Sequence, residues 1–154
     1  MVGKRIVWEM PDGSIRVGKC LIVDEARFVA KAERAPEMIG ARRLADPTDG
    51  EKLDKRWREC WRNRGDGHIH ADMTLARKQR LYEIRDERTR RLAETDWQPL
   101  RAYEQGLDGP MFAQTHEGIR RKKLRDITRT IDLDSITTPE ELAEFEPEWP
   151  EIKR

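Results

Sequence analysis

The chain has little of what most catalytic or secreted proteins need. Its two cysteines, Cys20 and Cys60, stand far apart and in no CxxC or other ligand spacing. They read as two reduced thiols of a cytosolic protein, not as a disulfide framework or a zinc cluster. No apolar run approaches the ~18 residues of a membrane span. The opening Met1-Val2-Gly3-Lys4-Arg5 lacks the apolar stretch of a signal peptide. The expectation is a soluble protein made in the cytoplasm. Gly13, Gly18, Gly65 and Gly67 do not compose a phosphate-binding loop, and Asp54, Glu59, Asp66 and Asp72 do not pair as catalytic carboxylates. No cofactor and no reaction is indicated.

Charge is what the chain has in excess. Of 154 residues, 40% are charged and only 36% hydrophobic. A globular chain of this size buries roughly 70% of its unfolded surface, so a core is possible but thin. The composition favours an elongated body whose helices face solvent or a partner. The net charge of +1 hides a polarity: +2 over residues 1–72, +5 over 73–129 and −6 over 130–154. A basic stretch followed by an acidic tail invites contact within a chain or between chains.

The pattern predicts an α+β fold in three parts. Residues 1–72 form a small antiparallel β-rich domain. Lys4 to Met10 and Ser14 to Val23 are strands joined at the Pro11-Asp12-Gly13 turn. A helix follows from an Asp24 cap to about Ala35, stopped by Pro36. Ile39 to Leu44 is expected as a short strand and Asp46 to Gly50 as a loop. Trp57 and Trp61 suit one face of a helix or of a strand, and the turn cluster Arg64 to Gly67 favours a second hairpin, 56–63 with 68–72. Residues 73–130 are expected as a long antiparallel helical hairpin, with helices at about 74–94, 98–106 and 112–130. One stripe carries Leu81, Ile84, Arg88 and Leu92, and another Phe112, His116, Ile119, Lys123 and Ile127. Residues 131–154 form an acidic, extended C-terminal tail with a short helix at about 139–145, started by Thr138 and Pro139.

Three features carry possible chemistry. His68, His70 and Asp72 share one face if they lie on a strand, an arrangement acceptable for zinc or iron. No further ligand has diagnostic spacing, so a solvated hairpin face is preferred and no metal is expected. Cys60 near these histidines suggests a nucleophile and base only superficially, since nothing orients them. Arg120, Arg121, Lys122 and Lys123 form a basic cluster on a helix. They suit phosphates, an acidic tail or an acidic partner surface, but no aromatic side chain interleaves them and no DNA-binding motif frames them. The tryptophans are the better clue to binding. Trp97 lies at a helix junction, and Trp149 lies between Pro147 and Pro150, where it either clamps the tail to its own body or anchors a partner.

A set of short landmarks runs through the chain in order. They are the Pro11-Asp12-Gly13 hairpin, Ala41 to Asp46, Trp57 to Trp61, and His70 to Met73 leading through Ala76-Arg77 into the helix of Arg80, Arg85 and Arg88. Leu92 to Trp97, Leu124-Arg125-Asp126, Thr138 to Leu142 and Trp149-Pro150-Glu151 follow. This arrangement resembles the small tail assembly chaperones and tail-fibre-associated proteins encoded beside tail genes in tailed phages and prophages. Leu92 to Trp97 is similar to the "LL…TDW" segment of the chaperones. The chain departs from that pattern at His68 and His70, where apolar residues are expected, and at the Gly109-Pro110 break. The resemblance implies a non-enzymatic bacteriophage protein that binds tail or tail-fibre proteins, as an assembly chaperone or a small virion subunit. It would act in the host cytoplasm during assembly or in the virion tail, with self-association as a further option and no membrane partner. Trp97, Arg120 to Lys123 and Trp149 are the expected partner-binding residues. A nucleic-acid-binding protein using residues 120–125 is the alternative.

Overall fold

The first hairpin closes because the turn satisfies its own polar groups. In a computed structural model describing residues 3–21, 24–44, 55–63, 65 and 68–151, β1 (Gly3–Glu9) pairs antiparallel with β2 (Ile15–Leu21). Met10 N–H donates to the Ser14 carbonyl and Gly13 N–H to the Met10 carbonyl. The Asp12 carboxylate accepts both the Ser14 hydroxyl, at 2.6 Å, and the Ser14 N–H, at 2.9 Å. These two bonds, the hydroxyl first, hold the Asp12 pKa below the ordinary aspartate value. The Asp46 to Gly50 loop lies outside the described residues, as do Arg64, Asp66 and Gly67 of the expected second turn.

The chain divides into two compact units, residues 1–76 and 77–154. The segments 73–130 and 131–154 thus fall almost wholly within one unit. Overall the protein is mixed α+β, with small antiparallel sheets and several helices.

In the first unit β1 is the central strand of a sheet of order β2-β1-β3, where β3 is only Arg42–Arg43. Its alternation puts Ile6 and Trp8 on one face. There they meet Val29 of α1 (Glu25–Glu33) and Met38, with Phe28 and Ala32 packed alongside. Asp24 occupies the N-cap position of α1 without making a side-chain cap bond. Residues 56–60 are not a strand, contrary to the hairpin read from the alternation. Lys55–Cys60 is a 3-10 stretch kinked at Trp57. Trp57 and Cys60, at i and i+3, eclipse in a 3-10 turn, so both are buried together. Only β4 (Trp61–Asn63) and β5 (Ile69–Ala71) pair, with Arg62 opposite His70. Asn63 donates to Glu9 of β1, which also accepts from Arg42.

The second unit is built from helices. The helix α2 (Met73–Ala93) begins where the Asp72 carboxylate accepts the N–H groups of Thr74 and Leu75. α3 (Trp97–Glu104) ends in a Schellman motif: Leu107 N–H donates to the Ala102 carbonyl and Gly106 N–H to that of Tyr103. Gly106 takes the left-handed conformation the motif demands, φ 81°. The expected single helix from Phe112 to Thr130 is two helices, α4 (Gly109–Gln114) and α5 (His116–Thr130). Thr115 between them is extended, and its hydroxyl caps Gly118 N–H. This break resets the helical phase. The buried stripe of α5 is therefore Arg120, Leu124 and Ile127, while the predicted stripe members His116, Ile119 and Lys123 face solvent. A Cβ on Gly118 would sit 2.0 Å from the Phe112 carbonyl oxygen, so the corner closes only over glycine. The short helix α6 (Pro139–Glu144) starts at Thr138, whose hydroxyl accepts from Glu141 N–H, and buries Leu142 completely.

Candidate functional site

Beside the buried Ile84, Leu124, Ile127, Leu133 and Leu142, several arginines reach into the second unit. Their stems occupy interior positions while their guanidinium groups end on backbone carbonyls and on each other's helices. Arg77 donates to the Ile136 carbonyl at 2.6 Å. Arg80, almost fully buried, binds Glu83, Glu146 and the Phe145 carbonyl. Arg88 reaches Thr128 at 3.2 Å and the Arg125 carbonyl. Arg121 meets the end of α2: the Leu92 carbonyl at 3.1 Å, the Thr95 hydroxyl at 2.6 Å and the Asp96 carboxylate at 2.8 Å. Partners on α5 therefore run in the opposite order to those on α2.

These contacts bring the sequence landmarks together. Leu92, Thr95 and Asp96 meet Arg121, and Thr95 is buried at the joint. The Arg91 guanidinium lies 4.5 Å from the Trp149 ring centroid, and the ring is half-buried. Pro147 before it is buried, and Arg80 holds Phe145 and Glu146. The acidic segment is thus clasped onto helices of its own unit.

The four side chains of the basic cluster differ in exposure. Arg120 is 5% exposed and Arg121 is turned into the fold, whereas Lys122 and Lys123 are exposed. Sequence patterning could not separate the four, because they are consecutive and the helix phase depends on the Thr115 break. The His68, His70, Asp72 candidate is also separated. Only Ile69–Ala71 are strand, His68 is exposed, and the Asp72 carboxylate is engaged at the start of α2. Among the described residues no group of three or more His, Cys, Asp or Glu side chains is placed to hold a metal ion. Cys60 is a buried residue of the first unit. No helix is long and apolar enough to cross a membrane among the described residues.

Several large apolar side chains of this unit are also exposed. On α3, Trp97, Leu100 and Tyr103 follow at three-residue steps and are 53%, 63% and 74% exposed. Met111 of α4 is exposed as well. Beside Trp97 runs a cleft of about 250 Å³, bordered by Arg101, Leu107, Phe112 and Glu117. The Arg101 guanidinium is 5.8 Å from the Trp97 ring centroid. Leu100, Tyr103 and Met111 were not singled out from the sequence. The one signal for Leu100 and Tyr103 was their spacing on a helix whose opposite face holds Ala102, and nothing local marked Met111 of α4. No family model, curated protein or solved structure matches this chain.

Proposed function

We propose that the protein is a non-enzymatic binding protein that docks on tail or tail-fibre proteins of a tailed phage, as an assembly chaperone or a small subunit of the tail tip or fibre region. The observation that carries the binding role is the exposed Trp97, Leu100 and Tyr103 stripe. Large aromatic side chains left in water beside a cleft are the usual anchors of a protein contact. The body behind the stripe is α2 and α5 with the acidic segment closed over them. The partner class rests on the motif resemblance alone. On this reading Arg121 and Trp149 act through the fold, and Trp97 touches the partner. The protein works in the host cytoplasm while tails assemble, or stays in the virion.

Two measurements test this. Mass spectrometry of purified virions separates the two roles: a fixed copy number marks a subunit, and absence despite an essential gene marks a chaperone. A Trp97→Ser, Leu100→Ser double variant, folded by circular dichroism, should stop tail assembly. Normal particle yield from that variant would refute the proposal.

A further inference from the structure

Arg120 has an unusual setting for a charged side chain. It is 5% exposed, its Nε is buried without a hydrogen-bond partner, and its one hydrogen bond among the described residues is a long one, 3.4 Å from Nη2 to Gln98 Oε1. The other buried arginine of the unit, Arg80, has two carboxylates and a carbonyl. A guanidinium withdrawn from water without an anion is costly. Arg120 also lines a groove of about 380 Å³ together with His116, Ile119, Lys123, Pro150 and Glu151. On α5, His116 and Lys123 stand four residues before and three after Arg120, as exposed neighbours of that buried side chain.

We infer that this groove is a binding site for an acidic peptide segment of a partner protein, with a carboxylate seated on Arg120 and flanked by Lys123 and His116. The inference rests on the protein-binding reading above and names the chemistry of the partner. A guanidinium offers a carboxylate a forked pair of donors, and the bond strengthens where water is excluded. Ile119, half exposed, and Pro150 supply an apolar wall, which suits an aliphatic side chain next to the acid. A nucleic-acid strand fits less well, because no Phe, Tyr or Trp lines the groove, and the small imidazole of His116 is its one ring for a base to stack on. Glu151 is a carboxylate on the rim, so it opposes an incoming acid and sets a limit on affinity.

The test is fluorescence anisotropy on the full chain with three labelled probes: a short capped peptide of alternating glutamate and leucine, its glutamine counterpart, and a single-stranded oligonucleotide. The glutamate peptide should bind about tenfold or more tightly than the glutamine peptide, the equivalent of one charge-assisted hydrogen bond. Arg120→Met should abolish that preference. Lys123→Gln, at an exposed position that leaves the fold intact, should weaken glutamate-peptide binding, and Glu151→Gln should strengthen it. Equal binding of the two peptides, or insensitivity to both Lys123→Gln and Glu151→Gln, overturns the inference. So does tighter binding of the oligonucleotide that Lys123→Gln removes. Failure here leaves the Trp97 stripe untouched, and that stripe fails separately, through normal tail assembly by the Trp97→Ser, Leu100→Ser variant.

Discussion

Arg121→Lys is the sharpest perturbation of the structural argument, because it preserves charge and removes only the fork. Arg121 donates to the Leu92 carbonyl, the Thr95 hydroxyl and the Asp96 carboxylate at 3.1, 2.6 and 2.8 Å. Its side chain is 12% exposed, and that of Asp96 is 67% exposed. The Asp96 ion pair is therefore screened and adds less than about 1 kcal/mol, which lysine retains in part. The other two bonds end at a buried joint, where each is about 1 kcal/mol or somewhat more. Nη1 serves both of these acceptors and Nη2 serves Asp96, so a single lysine ammonium keeps one side of the fork and loses the other; the Leu92 carbonyl sits in the last turn of α2, where a cation is favoured. The expected loss is about 1 kcal/mol for Arg121→Lys and about 3 kcal/mol for Arg121→Met. Urea denaturation followed by far-ultraviolet circular dichroism, which reports the helices, measures both. A Thr95→Val, Arg121→Lys cycle should show strong non-additivity, because the two side chains share one bond. Arg121→Lys indistinguishable from the unmodified protein would refute the reasoning. It would return Arg121 to the solvent-facing cluster that the sequence alone suggests.

Three further outcomes follow from the same geometry. Gly118→Ala should destabilise by about 2–3 kcal/mol in the same urea experiment, because the clash with the Phe112 carbonyl outweighs the roughly 1 kcal/mol that alanine normally gains in a helix; stabilisation would mean that the α4–α5 corner yields. Asp72→Ala should cost about 1 kcal/mol by loss of the cap while Asp72→Asn costs less, and added zinc should shift the melting of neither variant nor parent, against a ligand role for Asp72. The Asp12 carboxylate, with its pKa lowered by the Ser14 bonds, should titrate by NMR below the ordinary value of about 3.9. Its contribution to the hairpin is complete above that value and is lost as pH falls through the lowered pKa; a midpoint at or above the ordinary value in the folded protein would contradict the turn geometry.

Local patterns in this chain settled what local physics controls. The Pro11-Asp12-Gly13 turn, the Thr138-Pro139 start of α6 and the lack of a membrane-spanning helix among the described residues follow from a few adjacent residues each. Turn and cap bonds close over two to four positions, so neighbours suffice to read them. The Trp57–Cys60 stretch was not legible this way, because i, i+2 and i, i+4 apolar spacing coexist there and only burial chose between them.

The identity of the outward-facing residues was a tertiary matter. Arg120 and Lys123 are equivalent in sequence terms, both basic and three apart on α5. The extended Thr115 fixes the helix phase, and the contacts of α5 with Leu92, Thr95 and Gln98 turn Arg120 and Arg121 inwards. Trp149 likewise lies against Arg91, far away in the chain, a contact that no local pattern contains. The sequence by itself determined the short elements, the charge polarity and the landmarks. Only the three-dimensional arrangement decided which charges hold the unit together and which side chains, Trp97, Leu100 and Tyr103 among them, are left facing water. That difference arises because long-range pairing depends on how helices pack, which no window of neighbouring residues contains.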